Sequence, residues 1–346
     1  MAASASDSYL LFCVLLIPLT SGVHVYDCEP GTEPTLCIVH NLAYTPGQDP
    51  LPQLNRSDTV NRIQLNYERY YYRRKALVSV YDAVLHKTVL GSPPNTVVIN
   101  CDLHTLVMPR DLEVGDFLNN VIKVVETDPA QTYNIRYLDL SHNILRDLKN
   151  LSVLVNLQTL KLERNEIVEI KPETFAKMNN LSILTLGVNH IVMIDLKVLP
   201  KSLASLSLKR NSLSEINFAS VSFTNMREMY LESNRLTELD VAAMLRACPV
   251  LQLLLIEHNP MPRDEAQRII MELDGHNVTY YINIGKANDS DSSCDSNEYQ
   301  NDRVCFSTSV LGSRTFLKAI VLIIVSIVLC GVFGLSARWI WYQMRY

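Results

Sequence analysis

One spacing of apolar residues and asparagine recurs through the middle of this chain and constrains its fold more than any other feature. Residues 135–145, IRYLDLSHNIL, place apolar side chains at Ile135, Leu138, Leu140 and Leu145 and an asparagine at Asn143. This order fits neither an amphipathic helix nor the strict alternation of a strand. Five further copies follow, each beginning 22 to 25 residues after the one before, at Leu157, Leu181, Leu203, Met226 and Leu251. A weaker copy precedes them at Leu112, Phe117, Asn120 and Ile122.

The recurrence resembles the leucine-rich repeat, in which L-x-x-L-x-L-x-x-N-x-L returns about every 20–29 residues. Each unit forms a short strand, a turn and a return segment, and it cannot bury its apolar face alone. Stacked units bury one continuous core. The resemblance implies an α/β solenoid with a curved parallel β-sheet on its concave face. The pattern predicts leucine-rich repeats over residues 93–261.

The recurrent asparagine is predicted to be structural. It stands where the chain leaves each strand, and its amide offers two donors and an acceptor. Backbone groups at such a turn would otherwise be buried without partners. The sequence therefore assigns a structural and not a ligand-binding role to Asn143, Asn165, Asn189, Asn211, Asn234 and Asn259.

Apolar segments at both ends predict export and one membrane span. Residues 10–22, LLFCVLLIPLTSG, form a short apolar run that ends in small residues, so residues 1–22 are assigned to a secretory signal peptide. Residues 316–337 are predicted to form a transmembrane helix, because no charge occurs from position 319 to 337. Arg338 and Arg345 follow this segment, which favours a true span over a lipid-anchor signal. We expect a single-pass type I protein of the plasma membrane with its repeats extracellular and a short cytoplasmic tail, residues 338–346.

The segments that flank the repeats differ in composition. Residues 23–92 lack the repeat and are predicted to be an N-terminal cap; their tyrosine- and arginine-rich part, residues 66–84, is either part of that cap or a contact patch. Residues 262–284 are predicted to be a C-terminal cap, since Ala266, Ile269, Ile270 and Leu273 follow a helical spacing and the apolar strand VTYYI comes next. Residues 285–313 are rich in Asp, Ser and Asn and are predicted to be a flexible stalk.

The cysteines and glycosylation sequons fit an exported protein. Of eight cysteines, Cys13 and Cys330 lie in the two apolar end segments, which leaves six in an oxidising compartment. The pairs that close short loops are Cys28–Cys37 and Cys294–Cys305, while Cys101 and Cys248 are predicted to be small buried hydrophobic residues. The chain has five N-x-S/T sequons, at Asn55, Asn150, Asn180, Asn277 and Asn288.

The sequence contains no motif for catalysis, a cofactor or a metal ion. The net charge of −5 is small and does not indicate a nucleic acid as partner. We therefore expect the protein to be no enzyme and to use no cofactor.

The variable strand positions are predicted to face the concave surface, where solenoids usually bind their partners. In the last two repeats these positions combine apolar and acidic side chains. The candidate partner-binding residues are Tyr230, Leu253 and Leu255, rimmed by Glu228, Glu232 and Glu257. The alternative is that the C-terminal cap or the stalk covers Leu253 and Leu255.

The predicted span also has a feature that suggests association in the membrane. Ser326, Cys330 and Gly334 lie four residues apart, and small residues at this spacing let two helices pack closely. The tail that follows is too short for a signalling domain. A membrane co-receptor or a second copy of the chain is therefore an expected partner.

The chain resembles extracellular leucine-rich repeat proteins such as Toll-like receptor ectodomains. It more closely resembles the insect, particularly mosquito, leucine-rich immune proteins, through VVINCDLHTLVMPRDL, LPKSLASLSLKRNSL and LRACPVLQLLLIEHNPM within residues 60–282. This resemblance implies innate immune defence, and some members of the family bind complement-like thioester proteins. The chain lacks the heptads of the coiled-coil members and looks like the transmembrane subclass. The expected ligand is an extracellular protein or a microbial surface; an adhesion or developmental co-receptor of the same architecture is the alternative.

Overall fold

The computed structural model of the chain describes residues 23–67 and 78–283, together with the backbone of three strands between residues 299 and 312. Several predictions fall outside these residues. They are the signal peptide 1–22, the span 316–337 with Ser326, Cys330 and Gly334, the tail 338–346, the sequon at Asn288 and the side chains of Cys294 and Cys305.

Short strands dominate the described secondary structure. In chain order the strands are β1 (Val25–Asp27), β2 (Glu29–Pro30), β3 (Leu36–His40), β4 (Gln53–Asn55), β5 (Arg62–Asn66), β6 (Val80–Tyr81), β7 (Asn95–Ile99), β8 (Thr105–Val107), β9 (Val114–Asp116), β10 (Val124–Glu126), β11 (Tyr137–Asp139), β12 (Thr159–Lys161), β13 (Ile183–Thr185), β14 (Ser205–Ser207), β15 (Glu228–Tyr230), β16 (Leu253–Leu255), β17 (Thr279–Ile282), β18 (Tyr299–Asn301), β19 (Val304–Phe306) and β20 (Val310–Gly312). The helical segments are a π-helical turn (Leu85–Val89), two 3-10 turns (Lys149–Val153 and Leu196–Val198), α1 (Val241–Ala247) and α2 (Arg263–Asp274).

One sheet runs the length of the molecule. Within the described residues it has 13 strands, in the order β2-β3-β5-β7-β9-β11-β12-β13-β14-β15-β16-β17-β20. All neighbours from β3 to β17 are parallel, whereas β2 and β20 add antiparallel strands at the two ends. Strands pack about 4.8 Å apart, and the return segments need more room, so the sheet curves with its exposed face concave. This confirms the predicted leucine-rich repeat solenoid.

The central residue of each repeat strand points into the core. Leu138, Leu160, Leu184, Leu206, Met229 and Leu254 are fully buried, and the strand register aligns them in one row. Burying one such side chain contributes roughly 1.5–3 kcal/mol. The row is continuous only when the units stack, which explains why the chain repeats the spacing.

The parallel sheet begins earlier than the repeat pattern. Strands β3 and β5 belong to residues 23–92, predicted as the N-terminal cap, yet they pair in parallel with each other, and β5 pairs in parallel with β7. Around β3 the buried residues are Cys37, Val39, Leu42 and Tyr44. Their spacing is that of the repeats, with leucine in place of asparagine. The region that lacks the repeat motif therefore contains at least one divergent repeat unit.

The recurrent asparagines form a hydrogen-bonded ladder, as predicted. Asn189 Nδ2 donates to the carbonyl oxygens of Leu162 (3.0 Å) and Leu186 (2.9 Å), and its Oδ1 accepts from the backbone N–H of Ile167 (3.1 Å). The same bonds connect neighbouring units at Asn143, Asn165, Asn211, Asn234 and Asn259, and all of these asparagines are buried. Each amide therefore pairs backbone groups of two consecutive repeats.

The return segments are mostly irregular, so helix is scarcer than the term α/β suggests. On the convex side β10, β8 and β6 form a small parallel sheet. Near the C-terminal end, α1 begins after Asp240, whose side chain accepts from the backbone N–H of Ala243 at 2.8 Å. Helix α2 lies where the sequence predicts it and buries Ala266, Ile269 and Leu273. It leads into β17, and β18 to β20 lie inside the predicted stalk, residues 285–313.

The cysteines agree with the prediction wherever they are described. Cys28 and Cys37 form a disulfide, and Cys101 and Cys248 are free and buried. Burial raises the pKa of both free thiols to about 12, so neither is a reactive thiolate at neutral pH. The Cys294–Cys305 pair remains a prediction.

The described residues include only part of the predicted membrane and glycosylation features. No helix in residues 23–67 or 78–283 is long and apolar enough to cross a membrane. The sequon asparagines Asn55, Asn180 and Asn277 are exposed. Asn150 is half-buried, and its Nδ2, the atom that would carry a glycan, donates to the Val125 carbonyl oxygen at 2.8 Å. Glycosylation at all of these positions stays a prediction.

Candidate ligand-binding face

The six predicted partner-binding residues lie together on the concave face. Glu228 and Tyr230 flank the buried Met229 on β15, and Leu253 and Leu255 flank the buried Leu254 on β16. Register places Glu228 beside Leu253 and Tyr230 beside Leu255. The ladder continues past both strands, where the Ser233 N–H donates to the Glu257 carbonyl oxygen at 2.9 Å, so Glu232 and Glu257 are also neighbours. We call Glu228, Tyr230, Glu232, Leu253, Leu255 and Glu257 the C-terminal patch.

The apolar part of the patch is accessible. Leu253 and Leu255 are both partly exposed, although α2 and β17 follow directly in the chain. In the next strand Tyr281 lies beside Leu255 and is also partly exposed. The described part of the C-terminal cap therefore extends the apolar column Tyr230–Leu255–Tyr281 and does not bury it.

Glu228 is held by two hydroxyl groups. Its Oε2 accepts from Ser205 Oγ at 3.0 Å and from the Tyr230 hydroxyl at 3.2 Å. Burial and the Glu228 carboxylate raise the pKa of Tyr230, so this phenol stays a neutral donor. These bonds fix the orientation of the Tyr230 ring over the sheet.

Glu232 is in the opposite situation. Its side chain is half-buried, and among the described residues no hydrogen-bond partner reaches its Oε2 atom. Burial raises the pKa of this carboxyl group; Glu257 and Glu163 add to the increase, and Lys209 opposes it. Glu232 therefore has one carboxylate oxygen without a hydrogen-bond donor among the described residues, and burial disfavours its charged form.

Lys209 is the cation beside Glu232, but it is directed elsewhere. Its Nζ lies 2.9 Å from Glu163 Oε1, two strands away. The lysine stem crosses Gly187, where a Cβ atom would stand 2.8 Å from Lys209 Cγ. A glycine at this position lets the lysine lie flat and bind Glu163.

Two hydroxyl groups next to the patch also lack partners. Thr185 and Ser207 are register neighbours on β13 and β14, and Ser207 is in turn the neighbour of Tyr230. Among the described residues, nothing hydrogen-bonds to Thr185 Oγ1 or Ser207 Oγ, and both atoms are buried. Ser207 is only 7% exposed. Buried polar groups are normally paired, so these atoms mark an incomplete polar environment.

The preceding part of the concave face is internally paired. Lys161 Nζ lies 3.5 Å from Asp139 Oδ2 and 5.2 Å from the centroid of the Tyr137 ring. The Tyr137 hydroxyl lies 3.4 Å from Asp139 Oδ2. Burial raises the pKa of the neighbouring Asp116, with Asp139 adding to the increase. This cluster satisfies most of its own charge and leaves less for a ligand to pair.

The strand pattern places the six patch residues on one face but does not single out their polar neighbours. Thr185, Ser207 and Lys209 also lie on or beside the exposed side of the strands, yet nothing in their residue types distinguishes them as binding residues. Their significance comes from side-chain geometry, which the repeat pattern does not specify. In residues 23–67 and 78–283 no group of three or more His, Cys, Asp or Glu side chains has the arrangement of a metal site.

Known proteins share the repeats of this chain. Leucine-rich repeat-containing G-protein coupled receptor 5 from Rattus norvegicus is 40% identical over 108 residues, which cover 30% of this chain and 12% of the receptor. Lumican from Rattus norvegicus is 30% identical over 159 residues, 44% of this chain and 46% of lumican. What the chain shares with these relatives is its leucine-rich repeats. It spans less than half the length of both relatives, and no protein-family model matches it.

Solved repeat structures also align with the fold. The TLR13–ssRNA13 complex gives a TM-score of 0.48 at 22% identity, covering 61% of this chain and 29% of that one. The Drosophila Toll–Spatzle complex gives 0.46 at 18% identity, with 61% and 34% covered.

Proposed function

We propose that this leucine-rich repeat protein is displayed on the cell surface, where its C-terminal patch binds a protein or microbial ligand in innate immunity. One observation carries the proposal. On the concave face the apolar column Tyr230–Leu255–Tyr281 is accessible. It lies beside one carboxylate oxygen and two hydroxyl oxygens that have no hydrogen-bond partner in the described residues.

The composition of the patch favours a protein as ligand. Tyrosine and partly exposed leucine supply contact area at the centre, and aromatic residues are enriched at interface hot spots. Glu228, Glu232 and Glu257 lie around them, and these carboxylates would repel the phosphates of a nucleic acid. The patch therefore has the apolar centre and polar rim of a protein-binding surface.

Location and biological role rest on the sequence. A signal peptide at residues 1–22 and a span at residues 316–337 would place the repeats outside the cell. Packing of Ser326, Cys330 and Gly334 would join the chain to a co-receptor or to a second copy within the membrane. The resemblance to insect leucine-rich immune proteins favours defence over adhesion or development.

Ligand capture tests the proposal. The full-length chain, purified in mild detergent and immobilised, is exposed to cell-free body fluid taken before and after bacterial challenge, and the retained proteins are identified by mass spectrometry. Two double variants are compared with it. The patch variant is Tyr230→Ser with Leu255→Ser, and the control is Val168→Ser with Met193→Ser, whose side chains are 55% and 70% exposed away from the concave strands.

We expect the wild type and the control to retain a soluble defence protein and the patch variant to retain at least about tenfold less, the effect of about 1.4 kcal/mol at an interface hot spot. Equal retention by the patch variant would contradict the assignment of the binding face. Retention of a membrane receptor in place of a soluble protein would favour the co-receptor alternative.

A further inference from the structure

We propose that the C-terminal patch recognises a lysine or arginine side chain of a protein partner, with its charged head between Glu232 and Glu257 and its stem against Leu255 and Tyr230. This inference rests on the proposed function, because it specifies the chemistry of the ligand bound there.

The first line of support is the unpaired carboxylate oxygen of Glu232. Glu232 and Glu257 lie on neighbouring strand extensions, where like charges repel each other. Glu232 Oε2 is buried without a partner among the described residues. A cationic donor placed between the two carboxylates would supply the missing hydrogen bond and remove the repulsion.

The second line of support is that the lysine next to Glu232 points elsewhere. The other basic group at the site, His258, has its Nδ1 4.0 Å from Glu257 Oε1 and is charged only when protonated. Lys209 binds Glu163 at 2.9 Å and crosses Gly187 to do so. A lysine at position 209 that turned towards Glu232 would fill the acidic part of the patch. The observed contact leaves that space for a charge from outside.

The third line of support is the hydroxyl group of Ser207. Its side chain is 7% exposed and lies on the concave face beside Tyr230, and no group in the described residues hydrogen-bonds to its Oγ. A hydroxyl oxygen accepts hydrogen bonds. An ammonium or guanidinium head carries several N–H donors that point in different directions, so Ser207 Oγ offers an acceptor in addition to the two carboxylates.

The shape of the patch favours an amphipathic side chain over a small cation. Tyr230, Leu255 and Tyr281 form a column in which each residue is partly exposed, and the carboxylates lie beside it. Lysine and arginine combine an apolar stem with a charged head, and a tyrosine ring attracts a cation placed over its face. The complementary partner is therefore a protein segment that carries a basic residue next to apolar ones.

The first test measures how much the ionised form of Glu232 destabilises the folded chain. Because the pKa of Glu232 is raised in the folded chain, its ionised form destabilises the fold above that pKa, and this cost disappears as the pH falls below the unfolded value of about 4.3. Glu232→Gln should raise the midpoint of thermal unfolding at pH 7 by about 2 °C, and the difference should vanish near pH 4. Glu169→Gln, an exposed glutamate outside the concave strands, serves as the control and should change nothing. A lower midpoint for Glu232→Gln at pH 7 would overturn the inference.

The second test measures recognition directly in the full-length chain. Two fluorescein-labelled peptides are compared by fluorescence anisotropy; they are identical except for Leu-Lys-Phe or Leu-Gln-Phe at the centre. The wild type and Glu169→Gln should bind the lysine peptide at least about tenfold more tightly, a difference of about 1.4 kcal/mol. Glu232→Gln should bind both peptides about equally. A preference that persists in Glu232→Gln, or no preference in the wild type, would overturn the inference.

The two proposals fail in different experiments. If Tyr230→Ser with Leu255→Ser abolishes ligand capture while Glu232→Gln leaves capture and peptide preference unchanged, cation recognition is wrong and the binding face stands. If neither change affects capture, the proposed function is wrong. A dimer in light scattering that dissociates on Glu232→Gln would assign the site to a second copy of the chain and overturn the assignment to a separate partner.

Discussion

The asparagine ladder and the C-terminal patch both contain polar residues next to the sheet. The two regions differ in whether the buried polar atoms have hydrogen-bond partners. In the ladder, each buried amide bonds to two consecutive repeats, as Asn189 does with Leu162 and Leu186. In and beside the patch, Glu232 Oε2 and Ser207 Oγ are buried with no partner in the described residues. The paired amides hold neighbouring repeats together, whereas the unpaired groups of the patch lie on the face where we propose that a ligand binds.

The largest expected effect comes from breaking the ladder. Asn189→Ala removes donors to the Leu162 and Leu186 carbonyl oxygens and the acceptor for the Ile167 N–H. Each buried group left unpaired costs about 1–3 kcal/mol, so we expect a loss of about 3 kcal/mol or more, measured by urea unfolding of the full-length chain. Asn179→Ala, at an exposed position, should change stability by less than about 0.5 kcal/mol. Similar losses for both variants would show that the ladder does not hold the repeats together.

The sequence predicts the repeated part of the molecule well because one spacing encodes strand, turn and core together. The roles of Asn189 and Leu184 follow from that spacing alone. The predicted repeats begin at residue 93 and do not include the repeat unit around β3. There Leu42 replaces the ladder asparagine, so the motif is not recognisable in the sequence. For the candidate site, the sequence predicts only which residues lie on the concave face and not how their side chains interact. The path of Lys209 over Gly187 depends on side-chain geometry that no residue pattern specifies.

A buried histidine makes the stability of the folded chain depend on pH. His86 is fully buried, its Nδ1 lies 2.8 Å from the Tyr81 hydroxyl and its Nε2 lies 3.2 Å from Asp111 Oδ1. Burial lowers the pKa of His86, with Asp111 opposing. The folded chain therefore prefers the neutral ring, so the stability from this group is complete above the unfolded pKa of about 6.5 and is lost as the pH falls below it.

Unfolding midpoints between pH 8 and pH 5 check this expectation. The wild type should lose more stability over that range than His86→Gln, which cannot titrate. His104→Gln, at an exposed histidine, should follow the wild type. Parallel pH profiles for wild type and His86→Gln would contradict the buried neutral state.

A smaller effect on stability is expected at the residue that precedes a ladder asparagine. The residue before each ladder asparagine has positive φ, and at Val188 this angle is 55° in a β-branched residue. Asparagine tolerates this region better than valine. Val188→Asn should therefore stabilise the chain by about 1 kcal/mol or less, measured by urea unfolding. Val192→Asn, at an exposed position without positive φ, should bring no such gain; an equal gain there would exclude backbone strain as the cause.

The measurement that tests the central claim most directly is urea unfolding of Ser207→Ala beside Ser202→Ala in the full-length chain. Ser202 Oγ donates to the Leu181 carbonyl oxygen at 2.7 Å, whereas Ser207 Oγ has no partner in the described residues. We predict that Ser202→Ala loses about 1 kcal/mol and that Ser207→Ala unfolds at the same or a higher urea concentration than the wild type. A loss for Ser207→Ala as large as that for Ser202→Ala would show that this hydroxyl serves the fold, and it would contradict the distinction between paired and unpaired polar groups.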